Sequence, residues 1–413
     1  MSIQRCKGTR DQLPADMQEF RFISDVFRSS CVNWGYQEVR TPVLEYLHLF
    51  TATGTLTPAM LGKVYSFLDW DGWSGERVVL RPDGTIPVVR LYIENMLKQG
   101  LARLYYITQV FAFEGTGREN RERWQCGVEL FGDSSLASDV EVISLAMDAW
   151  SGLGLENIEL RLSHSGVIRG IVGQLGLDKD EEAKLLVQLL EGNRSALADI
   201  KARDGNSERL LSLLNGGGRK SGFLANLKTV IPAANAELKA GIDDFARLCK
   251  LLDTVGIRYT IDLGVAPGFE YYTGVCFQFW LSGKKVGGGG RYDRLVPLMG
   301  GGEVPACGFA IYMDPLIGQL KPKTRKRADQ GVLVRGSGTA TESVRTCFEL
   351  ARSLRNAGYM AGLDFSGREE SGWQWSVTVP ASGSPLMVTN RTLKKQKEAK
   401  SVAEAVNLVG VAG

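Results

Sequence analysis

Four short stretches of this 413-residue chain carry polar groups at spacings suited to holding a small ligand. In "LRPDGT", Arg81, Asp83 and Thr85 fall where a strand should end and a helix begin. Strand alternation puts Arg81 and Asp83 on one face, so a guanidinium and a carboxylate could meet one small polar ligand. An ion pair that fixes the turn fits the same residues. In "WQCGVE", Gln125 and Glu129 lie four apart on a strand and share a face with Gly127, which leaves room above the sheet. Glu129 could hold a ligand amine with Gln125 as a second partner. The polar outer face of a half-buried sheet is the alternative. In "PGFEYYTGVCFQF", Glu270 and Tyr272 share one face and Tyr271 the other, and Gly268 and Gly274 permit close backbone approach. In "GGGGRYDRL", four glycines precede Arg291, Tyr292 and Asp293, as expected of a backbone pressed against a ligand or another strand. No Lys-Ser/Thr follows them, so this is not a P-loop.

Composition narrows the chemistry. Lys and Arg number 49 against 46 Asp and Glu, a formal charge of +3, which gives no electrostatic mandate for nucleic acid. The seven cysteines are scattered without C-x-x-C spacing and there are two histidines, so no metal site and no cofactor is expected. Histidine acid–base catalysis would have to use His48 or His164, and a structural role is expected for both. Dispersed cysteines and a polar N-terminus suit a reducing compartment, so a cytoplasmic location is expected. No apolar run approaches the roughly 18 residues of a membrane span.

The elements that must position these residues can be read from periodicity. Residues 16–34 form an amphipathic helix with Phe20, Ile23, Phe27, Cys31 and Trp34 on one stripe, Asp16 and Glu19 as a capping pair, and Gly35 as its stop. "YQEVRTPVLE" is a strand limited by Pro42, and residues 62–80 a hairpin. "RLYYITQVFAFE" and "RWQCGVELFG" are strands around a loop carrying Arg118, Arg121 and Arg123. Residues 166–256 read as a helical insertion without a strand. Strands resume in "RYTIDLG", "YYTGVCFQFWLSG" and "KKVGGGGRYD", and "ACGFAIYMDPLIGQL" runs from strand into helix. The expected fold is α+β, an antiparallel sheet flanked by helices. The expected division is a domain over 1–320, a basic linker over 321–330 ("KPKTRKRADQ") and a small α/β domain over 331–413.

Taken in order, these stretches resemble histidyl-tRNA synthetase, a class II aminoacyl-tRNA synthetase. "KGTRDQLP" resembles the family's N-terminal signature and "GYQEVRTPVLE" motif 1. "LRPDGT" resembles the amino-acid loop and "FAFEGTGRENRERWQCGVELFG" motif 2. "GFEYYTG" and "GGRYDRL" resemble the two histidine-specific motifs, and "ACGFAIYMDPL" motif 3. The resemblance covers about residues 5–318. It implies that Asp83, Thr85, Gln125, Glu129, Tyr271, Tyr272 and Tyr292 are histidine contacts, with Asp83 where the synthetases usually carry Glu.

Three departures fall on one function. Motif 2 normally opens Phe-Arg-x-Glu, and its arginine, on the ATP α-phosphate, is here Ala112. The arginine four residues before the paired tyrosines is here Pro267. The Glu-Arg ending motif 3 is here Asp314–Pro315. Adenylation develops charge on a phosphate that fixed cations stabilise, and losing one such donor typically costs about 10²–10³ in rate. A retained amino-acid half beside a dismantled nucleotide half resembles the regulatory subunits of ATP phosphoribosyltransferase. These are synthetase paralogues without catalytic activity that serve the first step of histidine biosynthesis. That resemblance implies assembly with a short-form catalytic subunit, a hetero-octamer built on a homodimer of the synthetase-like domain, histidine as ligand, and no tRNA or membrane partner. A divergent histidyl-tRNA synthetase or amino-acid-activating enzyme is the alternative.

Overall fold

The computed structural model describes residues 3–53, 61–69, 75–113, 121–190, 194–198, 200, 205–218, 222–230, 236–264, 271–320, 331–336, 340–365 and 372–411. The chain divides into two compact units, Met1–Leu320 and Lys321–Gly413.

The first unit opens with α1 (Pro14–Asn33), then β1 (Gln37–Glu38), β2 (Leu44–Tyr46), α2 (Leu47–Thr51), β3 (Ser66–Leu68), β4 (Arg77–Leu80) and α3 (Thr85–Asn95). Next come β5 (Ala102–Phe111), β6 (Glu122–Phe131), α4 (Leu136–Gly152), β7 (Glu159–His164) and α5 (Ser165–Val172). Helices α6 (Lys179–Leu190) and α7 (Gly205–Asn215), strand β8 (Gly217–Gly218), and helices α8 (Gly222–Val230) and α9 (Ala236–Thr254) follow. The unit closes with β9 (Thr260–Asp262), β10 (Val275–Leu281), β11 (Lys284–Arg291), α10 (Leu295–Leu298) and β12 (Ala306–Tyr312).

Nine strands form one sheet in the order β1-β5-β6-β12-β11-β10-β7-β9-β8. It is antiparallel except where β1 meets β5 and β7 meets β9. Its middle strands have one face for the core and one for the site. Cys126, Val128 and Leu130 of β6 join Phe27 of α1, Ile143 and Trp150 of α4 and Phe279 of β10 in the larger apolar cluster. Gln125, Gly127 and Glu129 alternate with them and face the other way, as period-2 geometry requires. A second cluster covers that opposite side with Ile86, Val89 and Tyr92 of α3 and Leu104 and Tyr106 of β5. A separate antiparallel sheet, β2-β4-β3, leads into α3.

Several local expectations change. Helix α1 starts at Pro14, with proline at a position whose N–H would have no intrahelical partner. Asp16 accepts from the Leu13 N–H (2.9 Å), while Glu19 accepts from the Gly318 N–H rather than capping its own helix. Gly35 follows at φ +80, as the stop signal requires. The insertion contributes β8, which pairs with β9 through Gly217 and Gly218; a two-glycine strand leaves no hydrophobic alternation to read. The helix expected after β12 is replaced by turns over residues 314–319, where Pro315 lacks a donor and Gly318 sits at φ +87.

In the second unit, β13 (Gly331–Gly336), α11 (Thr341–Asn356), β14 (Met360–Asp364), β15 (Trp375–Val379), β16 (Leu386–Asn390), β17 (Lys395–Ala399) and α12 (Val402–Val411) form a five-stranded sheet with two helices. The basic segment "TLKKQKEAK" supplies β17, an edge strand whose exposed lysines protect the edge from further pairing.

Candidate functional site

The polar face of the large sheet closes over a small pocket of about 30 Å³. Asp83, Thr85, Gln125, Tyr271, Tyr272 and Tyr292 line it. Six of the seven expected contacts thus meet in one space, brought there by four separated segments. The seventh, Glu129, lies one layer behind. It is 1 % exposed and accepts a hydrogen bond from the Tyr292 hydroxyl through Oε2. Its Oε1 has no hydrogen-bond partner among the described residues, and neither has Gln125 Oε1. Buried acceptors left in that state are costly, and a ligand N–H would satisfy them.

Burial sets the charge of this pocket. It pushes the Glu129 carboxyl up to about 8, against the nearby hydroxyls of Tyr292, Thr85 and Tyr106, which pull the other way. It pushes Asp83 up to about 6, although the amides at the start of α3 oppose it. One of them, the Ile86 N–H, reaches Asp83 Oδ1 at 3.0 Å, so this carboxyl is held by a helix N-terminus. The three tyrosines form an aromatic box. Tyr271 and Tyr272 have ring centres 4.8 Å apart, and Tyr271 meets Tyr292 edge-on at 5.6 Å. Residues 271–274 lie before β10 and outside any strand, which is why both Tyr271 and Tyr272 reach the pocket instead of dividing between two faces. Glu270, Gly268 and Pro267 lie outside the described residues.

Other expectations are corrected. Arg81 does not face a ligand. Its Nη1 donates to the Thr41 and Pro42 carbonyls and the Thr41 hydroxyl, and its Nε to the Gln109 carbonyl. β4 ends at Leu80, so strand alternation does not extend to Asp83. Arg291 is likewise structural: it pairs with Asp139 and Asp293 and donates to the Asp133 and Ser135 carbonyls and the Ser138 hydroxyl. The space above Gly127 is not open. A Cβ there would lie 2.1 Å from the Tyr106 ring, and one at Gly84 would lie 2.4 Å from it. Tyr106 therefore fills the space over Gly127 and Gly84 and stands 3.4 Å from the Thr85 hydroxyl, and sequence reasoning missed it because "LYYITQV" reads as ordinary core strand. Lys285 and Tyr312 also line the pocket and were not anticipated. His164 caps α5 by accepting from the Val167 N–H, and burial holds its imidazole down near 4. It is a neutral structural group at pH 7. Exposed His48 stacks on Tyr46.

On the nucleotide side, Ala112 follows β5, and its N–H pairs with the Arg121 carbonyl (2.9 Å). Asp314 accepts from Arg10 through Oδ1 (2.8 Å) and from the Trp124 N–H through Oδ2 (2.7 Å), so this carboxylate ties "KGTRD" to β6. Pro315 beside it offers no donor. The Arg121 guanidinium lies 4.4 Å over the Phe113 ring, and its side chain packs on Gly8. Arg123 lies close enough to Tyr312 for its charge to act on that hydroxyl. Arg118 lies outside the described residues. Among the described residues, no group of acidic, cysteine or histidine side chains is arranged to hold a metal, and no helix is long and apolar enough to cross a membrane.

Comparison with known proteins agrees with this geometry. The family described as histidyl-tRNA synthetase matches residues 8–316. An ATP phosphoribosyltransferase regulatory subunit of Dehalococcoides mccartyi is 44% identical over 409 residues, covering 98% of both chains. A histidine–tRNA ligase of Methanosarcina acetivorans is 34% identical over 362 residues, covering 86% of this chain and 84% of the relative. Among solved structures, an ATP phosphoribosyltransferase regulatory subunit/histidyl-tRNA synthetase from Bacillus halodurans superposes with a TM-score of 0.76 at 26% identity. That match covers 90% of this chain and 95% of the other. A histidyl-tRNA synthetase from a Nostoc species, at 19% identity, shares the fold with a TM-score of 0.76 over 99% of each chain. The chain belongs to the histidyl-tRNA synthetase family, with the class II α+β fold, and within it to the ATP phosphoribosyltransferase regulatory subunits.

Proposed function

We propose that this protein is a non-catalytic subunit required by a short-form ATP phosphoribosyltransferase catalytic subunit, and that its pocket takes free histidine as the feedback ligand. The observation that carries the reading is the contrast between the two halves of one site. Asp83, Gln125 and three tyrosines converge on one small pocket, with Glu129 held behind it by Tyr292. Ala112 and Pro315 stand at two of the positions where a synthetase holds its phosphate-binding arginines. Arg81 and Arg291, which the motifs bring to this region, are already engaged by carbonyls and carboxylates. Catalysis of adenylation needs preorganised donors at the phosphate, and alanine and proline at these two positions supply no cationic donor.

On this reading the imidazole enters the tyrosine box and donates a ring N–H to Glu129 Oε1. The α-amine meets Asp83 and Gln125. Histidine then regulates by binding one assembly state more tightly than another, since a ligand shifts an equilibrium only by its differential affinity. Assembly through a homodimer into a hetero-octamer, in the cytoplasm and without tRNA, belongs to the same proposal. So does a two-domain division at the 321–330 linker.

The test is histidine-dependent exchange of pyrophosphate into ATP by the purified chain. The reading expects none, and exchange at a rate typical of synthetases would replace it with the enzyme reading, which the resemblance to histidine–tRNA ligases keeps in view.

A further inference from the structure

Lys285 reaches the pocket through a break in the sheet's register. Along β11, Gly288 lines the pocket, and a Cβ at Gly290 would meet the ring of Tyr272, so the even positions face the site. A Cβ at Gly287 or Gly289 would instead meet Phe279 or Phe309 on the core side. Uninterrupted alternation would turn Val286 to the pocket and Lys285 to the core. The pairing shifts between Phe279 and Trp280: Phe279 faces Gly287, but Trp280 faces Lys285. The extra residue reverses the alternation. Val286 is buried in the apolar cluster, and Lys285 lines the pocket. Bulges of this kind re-aim side chains beside functional sites.

The lysine so placed is chemically unmatched. It is half-buried, and no carboxylate pairs with it among the described residues. Burial alone draws its ammonium down to about 8. The pocket already has acceptors for an amine and a ring N–H in Asp83, Gln125 and Glu129. Among the described residues that line it, Lys285 is the one cation for the third polar group of a free amino acid. Of the described arginines nearby, Arg81, Arg169 and Arg291 are engaged by carbonyls or carboxylates, and Arg123 acts on the Tyr312 hydroxyl from outside that lining.

We propose that Lys285 is the carboxylate-binding residue of this pocket, so that the site selects an α-amino acid with its carboxylate free over derivatives in which that group is absent or esterified. This rests on the reading of the pocket as a histidine site. It adds a reason for the site to sense rather than activate. A carboxylate held in an ion pair with a buried ammonium is stabilised in its ground state, whereas activation requires the same oxygen to attack phosphorus.

The experiment is calorimetric titration of the full-length chain with L-histidine and with L-histidinol, whose hydroxymethyl replaces the carboxylate. It is repeated on Lys285→Met and Lys285→Arg. Wild type should bind histidine about 10–100-fold more tightly than histidinol, the range for a hydrogen bond to a charged group. Lys285→Met should lose most of that difference by weakening histidine alone, and Lys285→Arg should keep much of it. Equal affinity of the wild type for the two ligands overturns the proposal whatever the variants do. So does a Lys285→Met protein that still discriminates as the wild type does, and in both of those cases the histidine-site reading survives. No binding of histidine to the wild type overturns that reading and this proposal together.

Discussion

The Tyr292 hydroxyl donates to Glu129 Oε2 directly over Gly308, where a Cβ would lie 2.2 Å from that same oxygen and 3.0 Å from the tyrosine hydroxyl. The pair is thus built on a glycine of the neighbouring strand, opposite Glu129 in register. Gly308→Ala should push against the Val128 carbonyl, also 2.2 Å away, and separate β6 from β12. We expect a loss of about 1–3 kcal/mol in stability, as for other overpacked sites, together with loss of histidine binding. A denaturant melt and a titration would check both, and an unperturbed melt would contradict the geometry.

Glu129 makes stability depend on pH. Its folded pKa is raised to about 8 from 4.5. The folded state therefore binds the proton more tightly, and its contribution is fully present below about 4.5 and lost as pH rises through about 8. Glu129→Gln mimics the protonated form. It should match the wild type near pH 4.5 and exceed it near pH 8.5 by on the order of 4–5 kcal/mol. Thermal melts at the two values would show a pH-independent offset if the carboxyl were ionised throughout.

Tyr292→Phe removes the hydroxyl that orients Glu129 while keeping the ring in the aromatic box. Histidine affinity should fall about three- to tenfold, the usual scale for the loss of one neutral hydrogen bond. Calorimetry reads this directly, and an unchanged affinity would mean that the ligand does not engage the pair.

Arg291 and Asp139 form a buried ion pair, 3.0 Å apart, at the start of α4. Burial pushes the Asp139 carboxyl up to about 6, although Arg291 opposes that shift. Arg291→Met leaves the carboxylate unpaired and should cost about 3–5 kcal/mol. The double variant with Asp139→Leu should recover much of this. Chemical denaturation of the single and double variants would separate a buried pair from a surface one, for which both losses would be small.

The sequence was legible where one rule governed. Period-2 alternation in "WQCGVE" places Gln125 and Glu129 together, and they are together. The stripe in α1 packs as its spacing requires. It was not legible where tertiary contacts decide. Arg81 looks like a ligand cation beside Asp83, but three carbonyls from two other segments claim it. Tyr106 is one of two adjacent aromatics on a strand. Only the strand pairing shows that Tyr105 packs in the core while Tyr106 covers Gly127. Lys285 reaches the pocket because a bulge breaks the alternation that sequence reading relies on. The four glycines of β11 could have meant a ligand or another strand, and neighbouring strands account for all four. A Cβ at Gly287, Gly288, Gly289 or Gly290 would meet the Ala310, Phe277, Gly308 or Val275 backbone oxygen at 2.6, 2.8, 2.1 and 2.4 Å.

The proposed role, conferring activity on a partner without aminoacylation chemistry, can be read from one mixture. The chain is combined with a short-form ATP phosphoribosyltransferase catalytic subunit, and phosphoribosyl-ATP formation is followed with and without histidine. Little product is expected from the catalytic subunit alone, strong stimulation when this chain is added, and suppression of that stimulated rate by histidine. A rate that the chain leaves unchanged, alongside histidine-dependent pyrophosphate exchange by the chain itself, would rule that role out.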